Sequence, residues 1–407
     1  MKLFRIATVP ISLNILLNGQ LRFLNRYFEV TAVSGSGTDL ESVADREGVK
    51  THSLRIKRKI SIIEDIVSLF KLYFYFRKEK PLIIHSITPK AGLLSMIAGK
   101  WAGVPIRMHT FTGLIFPYRT GLLRIVLIRM DRVLCRYATH VYPEGNGVKE
   151  DLIRYAITQK KLKVMADGNV NGIDTEYFSR GAISDNTKKS LRDELGISED
   201  DFVFIFVGRL VKDKGINELV AAFRNVLAGT KGKGEGVFPE GKAGIKLLLV
   251  GPLEPKQDKL LKSTLSEMKV NTNIILAGFQ PDVRPYFAIS DALAFPSYRE
   301  GFPNVVLQAG AMELPAIVTD ISGCNEIISH GHNGLCVPAK NIPELEKTML
   351  QLLRDTEQFS QMQQAARPLI ESRYRQALVW KALLEEYHAN VAALSPEPEP
   401  AAVNNVV

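Results

Sequence analysis

At 407 residues the chain is long enough for two domains of ordinary size, and 46% hydrophobic against 23% charged residues describes a globular protein. No apolar run reaches the roughly 18 residues needed to cross a bilayer, and Cys135, Cys324 and Cys336 lack the spacing of a zinc site or a disulfide framework. The net charge of +9 is uneven: residues 1–190 carry 30 Lys and Arg against 16 Asp and Glu, the remainder 22 against 27. A basic half joined to a mildly acidic one predicts that the first half meets something anionic.

In chain order, the opening Met1-Lys2-Leu3-Phe4-Arg5-Ile6 has charge within it and reads as a strand, not a secretion signal, so the cytoplasm is the expected compartment. Strand-like runs are expected at 3–9, 30–34, 50–54, 82–85, 106–111, 140–142 and 162–165, then at 202–207, 246–250, 273–277, 292–295, 316–319 and 335–337. Helical patterns separate them, which predicts parallel sheets built from βαβ units. Two Rossmann-like, doubly wound α/β domains facing each other across a cleft fit this rhythm, with a seam near Asn171-Gly172-Ile173-Asp174 and the polar stretch 179–189. The first glycine-rich loop is reduced to Asn18-Gly19, so a dinucleotide fingerprint is absent. Residues 228–244 read as a flexible excursion and 394–407, with their Pro-Glu repeats, as a disordered tail.

Two helical patterns in the first half are basic. Arg55, Lys57, Arg58 and Lys59 precede a helix at 60–77 that carries Phe70, Tyr73, Phe74, Tyr75 and Phe76. Arg119, Arg124, Arg129, Arg132 and Arg136 decorate a second helix otherwise rich in leucine and isoleucine. Each alone reads equally well as a core helix with a solvated face. Two together favour contact with an anionic membrane surface. Nucleic acid is not the expected partner, because the basic half has no recognised binding module.

The second half holds the chemistry. Gly208-Arg209-Leu210, with Lys214-Gly215 after it, ends the first strand of that half and offers two cations at the mouth of a sheet. Such charge suits a diphosphate leaving group. Farther on, Pro296-Ser297 leads into Glu300-Gly301-Phe302-Pro303-Asn304-Val305-Val306-Leu307-Gln308, a strand end that opens a helix expected to run to about residue 313. Amides at a helix N-terminus suit a phosphate, and a carboxylate beside them suits the hydroxyls of a sugar attached to it.

These segments resemble the retaining glycosyltransferases of family four, which have the GT-B fold; Ile321-Ser322-Gly323-Cys324-Asn325-Glu326 and Asn333-Gly334-Leu335 match as well. The resemblance covers most of the chain and is strongest over 202–338. It implies that Arg209 and Lys214 hold a donor diphosphate and that Glu300 binds hydroxyls of the donor sugar. Gly208, Gly301, Phe302, Asn304 and Val305 would line the donor site. The division expected is a domain at 1–180, a nucleotide-sugar domain at 181–371, and a last helix at 372–392 returning to the first.

Two positions depart from the family pattern. Where relatives carry a second glutamate eight residues after the first, this chain has Gln308, whose amide can still accept a hydrogen bond from a ribose hydroxyl. Where many relatives have Thr-x-His, Thr110-Phe111 is followed by Thr112, the residue favoured as facing the reacting sugar. His109, a possible acceptor contact, reads better as a packed strand histidine. Thr88 and Lys90 lie at a helix start that resembles members building polysaccharides on a lipid diphosphate, and Lys90 is either a contact to that group or a plain surface lysine. Glu144, past another strand end, is a further acceptor candidate, with an ordinary loop carboxylate the preferred reading.

The expected activity is transfer from a nucleotide-diphosphate sugar, UDP-linked and possibly an N-acetylhexosamine, to a polyprenyl-diphosphate-linked saccharide at the inner face of the membrane. No Asp-x-Asp motif stands at a strand end, so neither metal nor cofactor is expected. A UDP-sugar epimerase of the same fold and a non-catalytic nucleotide-sugar-binding protein are the rival readings.

Overall fold

A computed structural model describes residues 1–58, 61–230, 242, 244–254 and 258–394. Lys59 of the first basic cluster, most of the 228–244 excursion and the tail beyond Leu394 lie outside the described residues.

The first sheet contains β1 (Lys2–Ile6), β2 (Glu29–Ser34), β3 (Lys50–Ser53), β4 (Ile83–Ser86), β5 (Ile106–Phe111) and β6 (His140–Pro143). The second contains β7 (Asp201–Val207), β8 (Gly244–Val250), β9 (Ile274–Gly278), β10 (Ala292–Phe295), β11 (Ala316–Thr319) and β12 (Gly334–Val337). Their orders are β3-β2-β1-β4-β5-β6 and β12-β11-β10-β7-β8-β9, and all the pairings are parallel. Each sheet is therefore wound outward in both directions from a central pair, β1/β4 in one and β7/β10 in the other. Strands covered on both faces must be apolar throughout, and Phe202-Val203-Phe204-Ile205-Phe206 is wholly buried.

The expected strand at 162–165 does not form. The sheet ends at β6, and Lys163 is instead ion-paired with Glu386 of the helix Gln376–Ala392. Residues Met1–Glu144, Lys149–Ala166 and those from Ala377 onward form one compact unit; Gly145–Val148 and Asp167–Gln376 form the other. The expected seam after residue 180 thus moves back to 166/167. The reason is local: Ile173 exchanges backbone hydrogen bonds with Tyr374 and Gln376 (2.7 and 3.1 Å), and Arg367 holds the carbonyls of Thr175 and Phe178 (2.7 and 3.0 Å).

In the first unit the last helix closes over a buried polar cluster. The Arg5 guanidinium is fully buried, with Nη1 2.5 Å from Tyr387 Oη and 3.0 Å from His85 Nδ1. A guanidinium only donates, so His85 Nδ1 accepts, and its Nε2–H is left to donate to Thr110 Oγ1 at 2.8 Å. His85 must then be neutral. Burial, reinforced by the Arg5 charge, holds its pKa well below the usual 6.5. His109 on β5 is also fully buried, and burial takes its pKa down to about 3.

Both histidines have folded-state pKa values depressed below the unfolded one, so the unfolded chain binds more protons between the two values. Their contribution to stability is present above about pH 6.5 and is lost as pH falls through each folded-state value, which for His109 is about 3. Urea unfolding of the first unit should weaken from pH 7.5 to 4.5, with each histidine adding a slope of up to about 1.4 kcal/mol per pH unit. The variant His109→Gln should lose about one proton's worth of that slope; an unchanged slope would refute the assignment.

Candidate active site

Ligands of doubly wound sheets bind beyond the carboxyl ends of the strands, where the winding reverses. In the second unit that point lies between β7 and β10, and the two loops there carry Arg209 and Lys214 on one side and Glu300 on the other. Glycines bring the loops together. Gly215 has φ +73°, and a Cβ placed on it would lie 2.0 Å from the Pro296 carbonyl oxygen. Gly208 (φ +149°) and Gly251 (φ +144°) approach equally closely: a Cβ on Gly251 would be 1.9 Å from the Gly208 oxygen. No side chain fits at either contact, so backbone meets backbone across three strand ends.

Lys214 is ion-paired with Glu300, and both side chains are largely covered, at 18% and 13% exposure. Its ammonium also sits 5.6 Å over the Phe295 ring. Arg209 is more open and meets Glu254 at 3.1 Å. Such an exposed pair holds the guanidinium only weakly, leaving it available to a stronger anion. Asp213 welds the two loops. Its carbonyl accepts from Tyr298 N (2.8 Å), and its carboxylate accepts from Arg299 Nη2 (2.8 Å) and Nε (3.2 Å). Burial, with Glu218 as the next cause, raises the Tyr298 phenol above its usual range, so this neighbour stays neutral.

Past Glu300, Gly301 is approached by Gly323, where a Cβ would lie 2.2 Å from the Gly301 carbonyl oxygen. Phe302 is buried and meets the Tyr374 ring at 5.5 Å. The following helix runs Asn304–Ala311, shorter than the expected end near 313, and no side chain caps its first amides. The Val306 amide is bonded to the Pro303 carbonyl at 3.1 Å, and the amides before it stand at a helix N-terminus, which suits an anion. Asn304 Oδ1 accepts from Asn169 Nδ2 at 2.8 Å, which fixes the start of the helix, while Val305 and Gln308 are half-buried along it. Arg209, Lys214 and Glu300 thus gather at one switch point with Gly208, Gly301 and Phe302, and the helix that follows carries Asn304, Val305 and Gln308. Sequence reasoning missed Asp213 and Glu254. Asp213 lies directly before Lys214, whereas Glu254 comes from the neighbouring β8 loop and carried no local signal.

First-unit candidates are placed differently. Thr112, after β5, donates from Oγ1 to the Ile87 carbonyl at 3.1 Å. Thr88 stands at the β1/β4 switch point, but its hydroxyl is bonded to Thr8 N (2.9 Å) and Thr8 Oγ1 (2.8 Å). Lys90 is buried and paired with Asp65 at 2.6 Å, so it is no surface lysine. His109 is corrected as an acceptor contact. It lies beneath the helix Pro89–Ala102, bonded to Ser86 Oγ at 2.8 Å, and only because residue 92 is glycine: a Cβ there would be 2.6 Å from the ring. Glu144 is buried, with its amide on the Phe111 carbonyl at 3.0 Å.

Two doubly wound domains, the second with its charged groups at the switch point, define a GT-B glycosyltransferase fold. Anabaena HepE, solved in complex with UDP, superimposes with a TM-score of 0.77 over 96% of this chain and 100% of that chain, at 17% identity. The chain belongs to the family described as Glycosyl transferases group 1, whose pattern matches residues 187–368, while residues 22–168 match the Glycosyl transferase 4-like domain. It is 31% identical to the capsular polysaccharide biosynthesis glycosyltransferase CapM of Staphylococcus aureus, over 95% of this chain and 97% of that protein. An Escherichia coli UDP-Gal:alpha-D-GlcNAc-diphosphoundecaprenol alpha-1,3-galactosyltransferase is 27% identical over 73% of each chain.

The backbone contact at Gly215 makes a specific stability prediction. Gly215→Ala adds both a left-handed strain and a clash with Pro296, whereas Gly196→Ala (φ +63°, nothing within 4 Å) adds only the strain. The strain alone is worth about 1–2 kcal/mol. Thermal unfolding should show Gly215→Ala losing clearly more stability than Gly196→Ala, and equal losses would mean that the loops separate freely.

Proposed function

We propose that this glycosyltransferase is retaining and metal-independent, and that it moves a sugar from a UDP-linked donor, with an N-acetylhexosamine preferred, to a polyprenyl-diphosphate-linked saccharide in the synthesis of a surface polysaccharide. The observation that carries the reading is the Lys214–Glu300 pair at the β7/β10 switch point, with Arg209 and uncapped helix amides beside it. Relatives named for capsule synthesis and for transfer to diphosphoundecaprenol-linked sugars support the acceptor class. The compartment that follows is the cytoplasm, at the inner face of the membrane bearing the acceptor.

On this reading Arg209, Lys214 and the amides of Phe302–Val305 take the charge that builds on the departing diphosphate. Glu300 accepts from hydroxyls of the donor sugar, and Gln308 takes a ribose hydroxyl. The bond from the anomeric carbon to the diphosphate oxygen breaks as the acceptor oxygen bonds to that carbon on the same face. The acceptor's proton passes to the leaving diphosphate, so no protein nucleophile is required. Thr112 is assigned to the sugar-facing position that a histidine holds in many relatives.

Glu300→Ala should lower transfer by about 100-fold or more while UDP still stabilises the protein against heat. Turnover of donor without acceptor would point to an epimerase, and stabilisation by UDP-sugars with no turnover at all to a binding protein. UDP-Glc, UDP-Gal, UDP-GlcNAc and UDP-GalNAc, each tried with lipid-linked and soluble acceptors, test the substrates. Equal rates on both acceptor types would sink the lipid-linked part of the proposal.

A further inference from the structure

The helix Ile62–Glu79 is apolar on two opposite sides. Ser68, Leu72 and Phe76, four residues apart, are its buried face. Ile62, Ile63, Ile66, Val67, Phe70 and Phe74 are all exposed, Ile63 by 78% and Phe74 by 65%. At about 100° per residue the two sets centre roughly 160° apart, so the second stripe points away from the sheet.

Its charges are sorted as well. Every acidic residue of the helix is neutralised by a lysine from elsewhere: Glu64 by Lys57, Asp65 by Lys90 at 2.6 Å and Glu79 by Lys2 at 2.8 Å. Lys71, Arg77 and Lys78, by contrast, are exposed beside the apolar stripe.

The patch extends over neighbouring helices. Ile62–Glu79, Pro89–Ala102 and Gly121–Tyr137 are successive crossovers between β3, β4, β5 and β6, which run in one direction across the sheet and therefore share one of its faces. Trp101 is half-exposed, with its ring 6.5 Å from Phe70. On Gly121–Tyr137 only Leu134 and Cys135 are buried, while Leu122 (75%), Leu123 and Ile125 are exposed together with Arg129; Arg132 donates to the Tyr155 and Ala156 carbonyls (3.0 and 3.1 Å). Among the described residues no helix is long and apolar enough to cross a membrane.

We infer that this three-helix face lies on an anionic lipid bilayer, with the Ile62–Phe74 stripe entering the headgroup boundary and Lys71, Arg77, Lys78 and Arg129 meeting lipid phosphates. Apolar side chains bordered by basic ones, with each acid of Ile62–Glu79 paired to a lysine, match the two attractions that hold a protein on such a surface. A second copy of the chain would bring like charges together around the same stripe. The inference extends the lipid-linked acceptor reading, but vesicle binding needs neither donor nor acceptor, so either idea can fail alone.

The test is sedimentation with phosphatidylcholine vesicles made with and without phosphatidylglycerol. Binding should require the anionic lipid and weaken as salt rises. Lys71→Glu/Lys78→Glu should reduce partitioning on the order of tenfold or more, and Ile63→Ser/Phe74→Ser should abolish it. Lys269→Glu/Lys347→Glu, the same charge change on the second unit, should leave it intact. Unchanged melting of the variants shows that they fold, since every altered side chain is exposed. Equal binding by all variants would overturn the inference, as would a dimer in sedimentation velocity that Ile63→Ser/Phe74→Ser dissolves.

Discussion

The contact between the Gly215 Cα and the Pro296 carbonyl sets the geometry of the second unit's site. It holds the β7 and β10 loops at backbone separation, which is what allows a lysine one residue before the glycine to reach a carboxylate four residues after the proline. Asp213 reinforces the same junction from its main chain and its carboxylate, and so couples Arg299 to the loop that carries Lys214. Cations and carboxylate are therefore positioned before any ligand arrives. A mostly covered ion pair is a poor source of stability, because desolvation offsets most of the attraction. Its retention at a switch point is better explained by a site that must present opposite charges to the two ends of one ligand.

The first unit bonds its polar groups to one another, both inside the unit and at the strand ends. Arg5 Nη1, His85, Thr110 and Tyr387 bond to one another beneath the last helix, while Thr8 and Thr88 close on each other at the β1/β4 switch point. Groups that resemble ligand-binding positions in the sequence are thereby consumed by folding. The Tyr387 contact also gives the helix Gln376–Ala392 a reason to belong to this unit: without it, a buried guanidinium would lose its oxygen partner, a cost well above that of an exposed hydrogen bond.

Much of this was legible in the sequence, and the physical reason is the parallel sheet. Strands covered on both faces are continuous apolar runs, so β7, β8 and β10 announce themselves, as does Gly208 at the end of β7. The run at 162–165 is broken by Lys163, whose ion pair with Glu386 of the last helix carries no signal in the local sequence. Lys90 and His109 were ambiguous for a related reason. Their surroundings come from Asp65 and Gly92, which only the packing of the helices Ile62–Glu79 and Pro89–Ala102 brings near. The seam was misplaced because 167–180 is irregular chain, held to the second unit by backbone hydrogen bonds to Tyr374 and Gln376 that leave no pattern in side chains.

The helix Ile62–Glu79 poses the same problem in reverse. Its aromatic content was legible, but a helix rich in Phe and Tyr is ordinarily a core helix, and periodicity alone does not say which of two apolar stripes is covered. Burial decides it: the smaller stripe, Ser68, Leu72 and Phe76, faces the sheet, and the larger one faces outward. A fold gains by burying its larger apolar stripe unless something outside the chain covers it. The pairing of all three of the helix's acids with Lys2, Lys57 and Lys90 points the same way, since it leaves the outward side without negative charge. That arrangement costs three lysines and stabilises nothing on the exposed stripe itself, which makes sense only if the stripe is met by a surface that is at once apolar and negatively charged.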